Sequence, residues 1–500
     1  MTIMKTMFKV WAVIAMTVGL FSCNNDDGPD SPITPPGILG NAETYATIRV
    51  AMPSGEVVIK ATPEGGDGVE AGSDEENKCN SVSLYFFHPT DDVCMGTMEL
   101  TSADFGQATD GAAETITYTT SKPKKIGIVG TFDVYAVVNG KVEGVGPGTS
   151  LTAFVDKTVE EAVAIKSSDM LMTNSAHAQT VISETSTEKT PASLSVTVER
   201  TAAKITYTAT QAGNKYTVTK KDNTVTDDMA QIVGYRLVNL RTDSYLFRKR
   251  GGNDGNIQND DRWAALDGNN YVIDNKFKEK TPELAGNETQ FPIWRAAAYK
   301  TDATDFITTL PTAVNKEDLL TYCMENTMPA VSQLNGYTTG IVFKAVYQPK
   351  EILTWPEGNN DYEGENKFTA KPYAKGTDFY RYAGQLYADK DDIVKFFKLD
   401  ADTPLIDTYT GNGESEGGAV CYYTYWIKHN PNTTEGNLGI MEYGIVRNNA
   451  YKLKVTQISG LGDATDPEID PDTPDEKNEL YIKVDLTILP WVVRNNDIIL

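Results

Sequence analysis

Apolar and polar residues alternate with period two along much of the chain, which is the pattern of half-buried strands. Residues 46–52 show it first, and residues 480–488 repeat it strictly near the end. Further strand-like runs, rich in threonine, valine and tyrosine, lie at 81–87, 115–119, 131–139, 193–200, 203–210, 232–240, 337–347, 420–427, 450–458 and 479–489. The pattern predicts an all-β sandwich architecture, with short helices at 159–165, 316–325 and 391–399.

The spacing of these runs predicts two sandwich domains. Runs 193–200 and 203–210 adjoin with hardly a break, which places a boundary near residue 201. We therefore expect an N-terminal domain over 61–200 and a C-terminal domain over 201–500, the second enlarged by insertions.

Two polar, acidic segments, 62–77 and 463–479, interrupt the strand pattern. Their proline, glycine and like charges predict extended tethers. A strand thus lies beside a tether near each end of the chain, the second being a tail over about 480–500.

The first residues form a separate unit. Lys5 and Lys9 precede an apolar run over 10–21, which is too short to span a bilayer and has the length of a signal-peptide core. The run leads into Cys23 in a pattern that resembles a bacterial lipobox. We expect residues 1–22 to be a lipoprotein signal peptide, Cys23 to be lipidated and the membrane to be contacted only through that lipid. An ordinary secretory signal is the alternative.

Composition argues against several function classes. The 500 residues carry 69 acids, 45 bases and three histidines, for a net charge of −24. Because acids outnumber bases, the charge of the chain does not favour binding to nucleic acids. His88, His177 and His429 are scattered, and Ser415 lies in an acidic glycine loop that lacks the helix of a nucleophile elbow. The sequence predicts no catalytic residue, no metal site, no cofactor and no enzymatic activity.

Besides Cys23, the chain has four cysteines: Cys79, Cys94, Cys323 and Cys421. They form no CxxC pair and no zinc pattern. A disulfide between Cys79 and Cys94 and free buried thiols both remain open.

Four stretches, 196–204, 246–251, 443–455 and 484–493, together with the lipobox, resemble the Bacteroidales fimbrillins (type V pilins). The likeness is greatest to short-fimbria major subunits of Porphyromonas and their Bacteroides relatives. The resemblance implies two transthyretin-like Greek-key β-sandwich domains with short helices in insertions. It also implies a lipoprotein precursor that passes through the periplasm to the outer membrane and the cell-surface fimbria.

The resemblance implies a structural stalk subunit of a fimbria (pilus) that supports cell adhesion. A protease removes the N-terminal segment with its first strand, and a donor strand from the C-terminus of the next copy fills the groove. The implied partners are further copies in a head-to-tail filament, the accessory, tip and anchor subunits, and the processing protease. The alternative is a tip or accessory adhesin, or a glycan-binding surface lipoprotein, that does not polymerise.

Site residues follow from this likeness. In the fimbrillins, the processing site is a basic residue followed by a small one. By position this pair matches Lys60-Ala61, which makes residues 23–60 the propeptide. Arg49-Val50 is the rival, although a cut there would leave half the strand behind. The donor-strand residues are expected in the tail, at Leu486, Ile488, Trp491, Val493, Ile498 and Leu500. Two alternatives remain. The last strand packs entirely in its own domain, or residues 480–488 pack there while residues 490–500 are donated to the next copy.

Overall fold

Short strands with alternately buried side chains make up most of the fold, which confirms the predicted all-β class. The computed structural model describes residues 42–52, 70–106, 109–110, 116–166, 168–252, 255–256, 271–363, 368–400, 403–413, 417–430, 438–439, 441–477 and 481–492.

The strands before residue 201 are β1 (Tyr45–Met52), β2 (Glu70–Ala71), β3 (Ser81–Phe87), β4 (Cys94–Thr101), β5 (Thr109–Asp110), β6 (Ile116–Thr119), β7 (Lys124–Lys125), β8 (Gly130–Val138), β9 (Thr158–Glu160), β10 (Met172–Asn174), β11 (Gln179–Ile182) and β12 (Ala192–Arg200). Helices α1 (Leu151–Val155) and α2 (Glu161–Ala164) lie among them. The main sheet has the order β4-β3-β8-β10-β12-β1-β6-β5, with β11 beside β8 and β7 beside β1. Its buried side chains form an apolar core with members from Ala46 to Ala202, and a second cluster, which includes Phe87 and Tyr135, packs with α1.

The later strands are β13 (Ala202–Thr208), β14 (Lys215–Thr219), β15 (Val225–Val238), β16 (Asp243–Tyr245), β17 (Arg250–Gly251), β18 (Tyr271–Val272), β19 (Glu317–Met324), β20 (Gly340–Gln348), β21 (Glu351–Thr354), β22 (Thr369–Pro372), β23 (Phe379–Tyr382), β24 (Gln385–Tyr387), β25 (Asp407–Tyr409), β26 (Ala419–Trp426), β27 (Asn449–Ile458) and β28 (Ile482–Val492). Helices α3 (Pro282–Ala285), α4 (Gln290–Ala298) and α5 (Lys390–Phe397) accompany them.

Two sheets enclose the second core. One has the order β19-β13-β27-β28-β2 and the other β14-β15-β20-β26. Buried aromatic residues such as Tyr207, Phe343 and Tyr451 fill the space between them. A smaller sheet, β22-β21-β24-β23-β25, packs with α5 as an insertion. Strand β12 ends at Arg200 and β13 begins at Ala202; the Ala202 side chain still lies in the first core, and Ala203 is the first residue of the second. The Greek-key topology and the division into two domains stay predictions.

The helix predictions had mixed outcomes. The helix expected at 391–399 is confirmed as α5, whose first turn is capped by the Asp389 carboxylate. The expected helix at 159–165 is β9 followed by the short α2. The helix expected at 316–325 was wrong, because this stretch forms β19 along the edge of β13 and buries Cys323 and Met324 there. Edge pairing and burial outweighed the local helical preference of its charged beginning.

Candidate functional site

Strand β1 lies inside the first sheet, paired on both sides. It runs parallel to β12, with Ala46 opposite Ala192, and antiparallel to β6. The side chains of Ala46, Ile48, Val50 and Met52 are all at most 1% exposed. Withdrawing β1 would therefore leave an apolar trough with unpaired backbone groups along two neighbouring strands.

The two predicted cleavage pairs lie in different settings. Arg49 and Val50 are in the middle of β1, with the Arg49 side chain exposed and Val50 buried. Their backbone is paired with β12 and β6, so this peptide bond is enclosed in the sheet. Lys60 and Ala61 lie outside the described residues, as does Cys23.

Strand β28 carries the described part of the predicted donor segment. It pairs antiparallel with β27, and Leu486 lies opposite Leu453. Ile488 is 4% exposed in the second core, and Leu486 is half-buried against it. Both residues thus pack in their own domain in this structure, unlike free donor residues. Among the other predicted donor positions, Trp491 lies in β28, whereas Val493, Ile498 and Leu500 lie outside the described residues.

Residues 70–77, here called the clasp, contact the end of β28. Their first residues form β2, which pairs parallel with β28, Glu70 opposite Trp491 and Ala71 opposite Val492. The clasp is the first described segment after residue 52. The chain that leaves the predicted propeptide therefore lies beside the end of the last strand.

Side chains of β13, β19 and β27 hold the clasp. The Glu70 carboxylate lies 2.6 Å from Lys452 Nζ and 3.4 Å from Lys204 Nζ. The Glu76 side chain, 3% exposed, lies 3.1 Å from Lys204 Nζ and accepts a hydrogen bond of 2.5 Å from the Tyr322 hydroxyl. These pairs fix the clasp against β13, β19 and β27.

A buried arginine completes the clasp. Arg200 is 1% exposed and donates to Asn77 Oδ1 at 2.6 Å and to the Glu76 carbonyl oxygen. Burial lowers the pKa of Arg200 to about 10, so it remains charged at neutral pH. A side chain at Gly72 would lie 2.2 Å from Asn77 Oδ1, which explains the glycine. Sequence reasoning missed this cluster, although Arg200 and Lys204 interrupt two apolar runs and signal buried ion pairs.

Residues 463–477, here called the strap, were expected to be an extended tether; in the structure they are docked. Asp463 exchanges both backbone hydrogen bonds with Tyr422 on the outer edge of β26. Asp466 pairs with Arg236, and the Asp475 side chain accepts from Thr338 Oγ1 at 2.5 Å. Backbone bonds from residues 335 and 336 to strap carbonyls hold the remainder. Specific partners on the sheet thus outweigh the like-charge repulsion that predicted a free segment.

Buried ion pairs join segments that are distant in sequence. Arg447 and Glu325 are fully buried and paired at 3.0 Å, and Arg447 also donates to the Leu246 carbonyl oxygen at 3.0 Å. Arg248 forms an ion pair with Glu199, the carboxyl whose pKa is raised by burial. Removing one member of such a pair leaves an uncompensated buried charge. The basic stretch at 248–250 therefore belongs to the interior.

The described histidines show no catalytic arrangement. His429 Nδ1 lies 2.8 Å from the Tyr451 hydroxyl, and burial lowers the pKa of His429 to about 4, so the ring is neutral. His88 and His177 lie at the surface beside Asp91 and Asp133. Ser415 is outside the described residues.

The four described cysteines are free and buried. Burial raises the pKa of Cys79, Cys323 and Cys421 to about 12, which keeps these thiols protonated. In the described parts of the chain no three metal-binding side chains cluster, and no described helix has the length and apolar character needed to cross a bilayer.

Comparison with known proteins gives one family match. Residues 417–497 match the family described as "Major fimbrial subunit protein type IV, Fimbrillin, C-terminal". The match begins just before β26 and extends past β28, and it confirms the resemblance to fimbrillins. No curated protein matches the chain.

Similar solved structures include a fimbrilin (FimA) of Porphyromonas gingivalis W83, with 15% identity over 91% of this chain and 100% of that one and a TM-score of 0.39. The tip fimbrial protein Mfa3 of Porphyromonas gingivalis has 10% identity over 90% and 99%, with a TM-score of 0.38. A fimbrial assembly protein of Parabacteroides distasonis ATCC 8503 has 11% identity over 66% and 99%, with a TM-score of 0.27.

Proposed function

We propose that this chain is a stalk subunit of a cell-surface fimbria, made as a lipoprotein precursor and assembled by strand exchange. The observation that carries the proposal is the place of β1, an N-terminal strand enclosed between β12 and β6. Residues 53–69 separate it along the chain from the clasp, and Lys60 lies in that segment. Cleavage there would detach the whole strand at once.

The vacated trough explains why assembly would follow cleavage. Burial of Ile48, Val50 and Met52 contributes roughly 1.5–3 kcal/mol each, and the lost strand also leaves backbone groups of β6 and β12 without partners. An extended segment from another copy would replace both contributions. Such a contact is head-to-tail and propagates as an open filament.

The donor segment is assigned to the residues that follow β28. Because Ile482 and Ile488 pack in the home core, donating the entire strand would open that core. Residues 493–500 carry Val493, Ile498 and Leu500, and the clasp adjoins the preceding residue pair. Under this assignment, residues 482–492 stay packed in their own domain, and residues 493–500 form the donor segment.

Trypsin treatment of the purified full chain tests the proposal. We expect filaments in electron micrographs whose subunits begin at Ala61, and we expect Lys60→Gln to remain monomeric. Arg49→Gln is the matched control and should still form filaments. Filaments that begin at Val50, or that form without cleavage, would refute the assigned site. A chain that is cut at Lys60 and never polymerises would favour the non-polymerising adhesin.

A further inference from the structure

A lysine, an aspartate and an asparagine meet in the interior of the protein. Asp274 follows β18, Lys280 precedes α3, and Asn326 follows β19. The side chains of Lys280 and Asp274 are fully buried, and Asn326 is 0% exposed. Their chain neighbours Phe277 and Met328 belong to apolar clusters. Solvent therefore does not reach these three polar side chains.

The Lys280 amine contacts both of the other side chains. Its Nζ lies 2.5 Å from Asp274 Oδ2 and 2.8 Å from Asn326 Oδ1, and it also donates to the Thr327 carbonyl oxygen at 2.7 Å. A carbonyl carbon is about 1.23 Å from its oxygen, so Nζ lies within roughly 4 Å of the Asn326 carboxamide carbon. The amine is thus placed beside an electrophilic carbon while a carboxylate contacts it.

Hydrogen bonds fix the orientation of the Asn326 carboxamide. Its Nδ2 donates to the Tyr337 carbonyl oxygen at 2.8 Å and to Thr339 Oγ1 at 2.9 Å, so that Oδ1 faces the lysine. The Tyr299 hydroxyl, which is 2.9 Å from the Tyr337 carbonyl oxygen, lies 3.3 Å from the same Oδ1. It can donate to Oδ1 when negative charge develops there, as the donors of an oxyanion hole do.

Burial disfavours both charges of the lysine–aspartate pair. It lowers the pKa of Lys280 from an ordinary 10.5 to about 8, although the nearby Asp274 carboxylate opposes this shift. A fully buried ion pair loses the hydration of two charges, and their attraction offsets only part of that loss. Transfer of one proton from Nζ to Asp274 removes both charges. It leaves a neutral amine, which is the nucleophilic form of lysine.

We propose that Lys280 and Asn326 become joined by an intramolecular isopeptide bond, with Asp274 as the acid–base group. The neutral Nζ attacks the Asn326 carboxamide carbon, and the new N–C bond gives a tetrahedral intermediate. The attacking nitrogen then gives up one proton, which the Asp274 carboxyl passes to the amide nitrogen of the asparagine. The C–N bond to that nitrogen breaks, and ammonia leaves. The products are a secondary amide, ammonia and a protonated Asp274, so the reaction needs no oxidant, reductant or further reactant.

The fold provides the conditions that this reaction needs. Amine and carboxamide are held together, which replaces a bimolecular encounter and corresponds to effective molarities of about 10⁵ M or more. Water is excluded from the three side chains, so it does not compete for the intermediate. Among the described hydrogen bonds and ion pairs, Asp274 provides the only carboxyl group that contacts Nζ. Condensation with Asp274 itself would therefore leave no second carboxyl to transfer the proton.

Peptide mapping of the folded full chain by mass spectrometry tests the bond. Trypsin cuts after lysine and arginine, so the linked product should consist of residues 279–295 and 317–344. Its mass should be about 17 Da below the sum of the two peptides, because ammonia is lost. We expect no cut after Lys280, since its amine is acylated, and fragment ions should place the link at Lys280 and Asn326.

Matched substitutions test the roles of the residues. Lys280→Arg keeps the positive charge without the lysine amine, and Asp274→Asn keeps the shape without the acid–base group. Both should abolish the linked peptide. Lys249→Arg is the control and should retain it. Lys249 is also buried and paired with Asp156, but its amine has no hydrogen bond to an asparagine among the described residues.

Four outcomes would overturn the proposal. The first is a wild-type chain that yields only unlinked peptides, which would identify the cluster as an unreacted ion pair. The second is a link to the peptide 263–276 with a loss of about 18 Da, the mass of water, which would make Asp274 the acyl partner.

The third is a loss of about 17 Da within peptide 317–344 alone, as a succinimide at Asn335 before Gly336 would give. The fourth is a linked peptide that persists in Asp274→Asn. The proposal does not rest on the proposed stalk function, because the three residues belong to one chain and the bond is measured on the uncleaved protein.

Discussion

The two terminal strands differ in how the fold encloses them. Strand β1 has neighbours on both edges, and its four inward side chains are at most 1% exposed. Strand β28 has β27 on one edge; on the other, within the described residues, only β2 pairs with its last two positions. Its inward residues Val484 and Leu486 are only half-buried. The interior strand is thus enclosed along its whole length, whereas the edge strand is held in its own core mainly by Ile482 and Ile488, which are at most 4% exposed.

The largest expected effect compares one truncation in each strand. Ile48→Ala should lower the free energy of unfolding by roughly 2–5 kcal/mol, because a fully enclosed cavity forms. Leu486→Ala should cost under about 2 kcal/mol, since its site is partly open to solvent. Urea denaturation of the full chain measures both. Equal losses would show that β28 is as firmly enclosed as β1.

The sequence predicted these two strands but not their surroundings. Period-two alternation at 46–52 and 480–488 is a local property, so it is readable without an alignment. Whether a strand lies inside a sheet or at its edge depends on pairings that are distant in sequence, such as β1 with β12. For the same reason β19 was predicted as a helix, because its partner β13 lies more than a hundred residues earlier.

The positions and contacts of the charged side chains were the least predictable part of the candidate site. An acidic, proline-rich stretch is typical of a free tether, yet the strap docks through Asp466, Asp475 and Asp463. Arg200 and Arg447 are fully buried although arginine is usually exposed. Both outcomes depend on specific partners from other strands, which composition does not reveal. The large apolar strap residue Ile469, which packs in the cluster of Trp426, was the available signal for docking.

A second expected effect concerns pH and the strap that precedes β28. Burial raises the pKa of the Asp475 carboxyl to about 8 from an ordinary 3.8. The docked strap therefore binds more protons than the released one between these values, and docking weakens as pH rises through that window. Within this window the free energy that favours docking falls by about 1.4 kcal/mol per pH unit, and above pH 8 it no longer changes. Strand β1 should show no such change.

Hydrogen exchange at the amides of Asn335 and Gly336, corrected for intrinsic exchange, measures strap opening. Thr338, Lys428, Glu442 and Glu476 are the groups that act on the Asp475 carboxyl. Asp475→Asn should remove the slope. Asp470→Asn is the control, since the pKa of the exposed Asp470 is lowered by its hydrogen bond from Thr473 and it stays ionised above pH 6. A slope that survives Asp475→Asn would assign the titration to another group.

The smallest expected effect lies at the contact between the two chain ends. Glu70→Gln removes the ion pairs to Lys452 and Lys204, which are mostly shielded from solvent. We expect the free energy of opening β2 from β28 to fall by about 1 kcal/mol, measured by hydrogen exchange at the backbone amides of residues 71 and 492.

Glu75→Gln is the control for that change, because its pair with Lys78 is exposed and should contribute little. Equal effects would mean that the clasp charges act only as surface charges. A specific loss for Glu70 would instead show that the segment following the predicted cleavage site holds the end of β28 at its otherwise open edge. The tail beyond β28 would then leave the fold from a fixed point, which a donor segment needs in order to reach the next copy in a constant orientation.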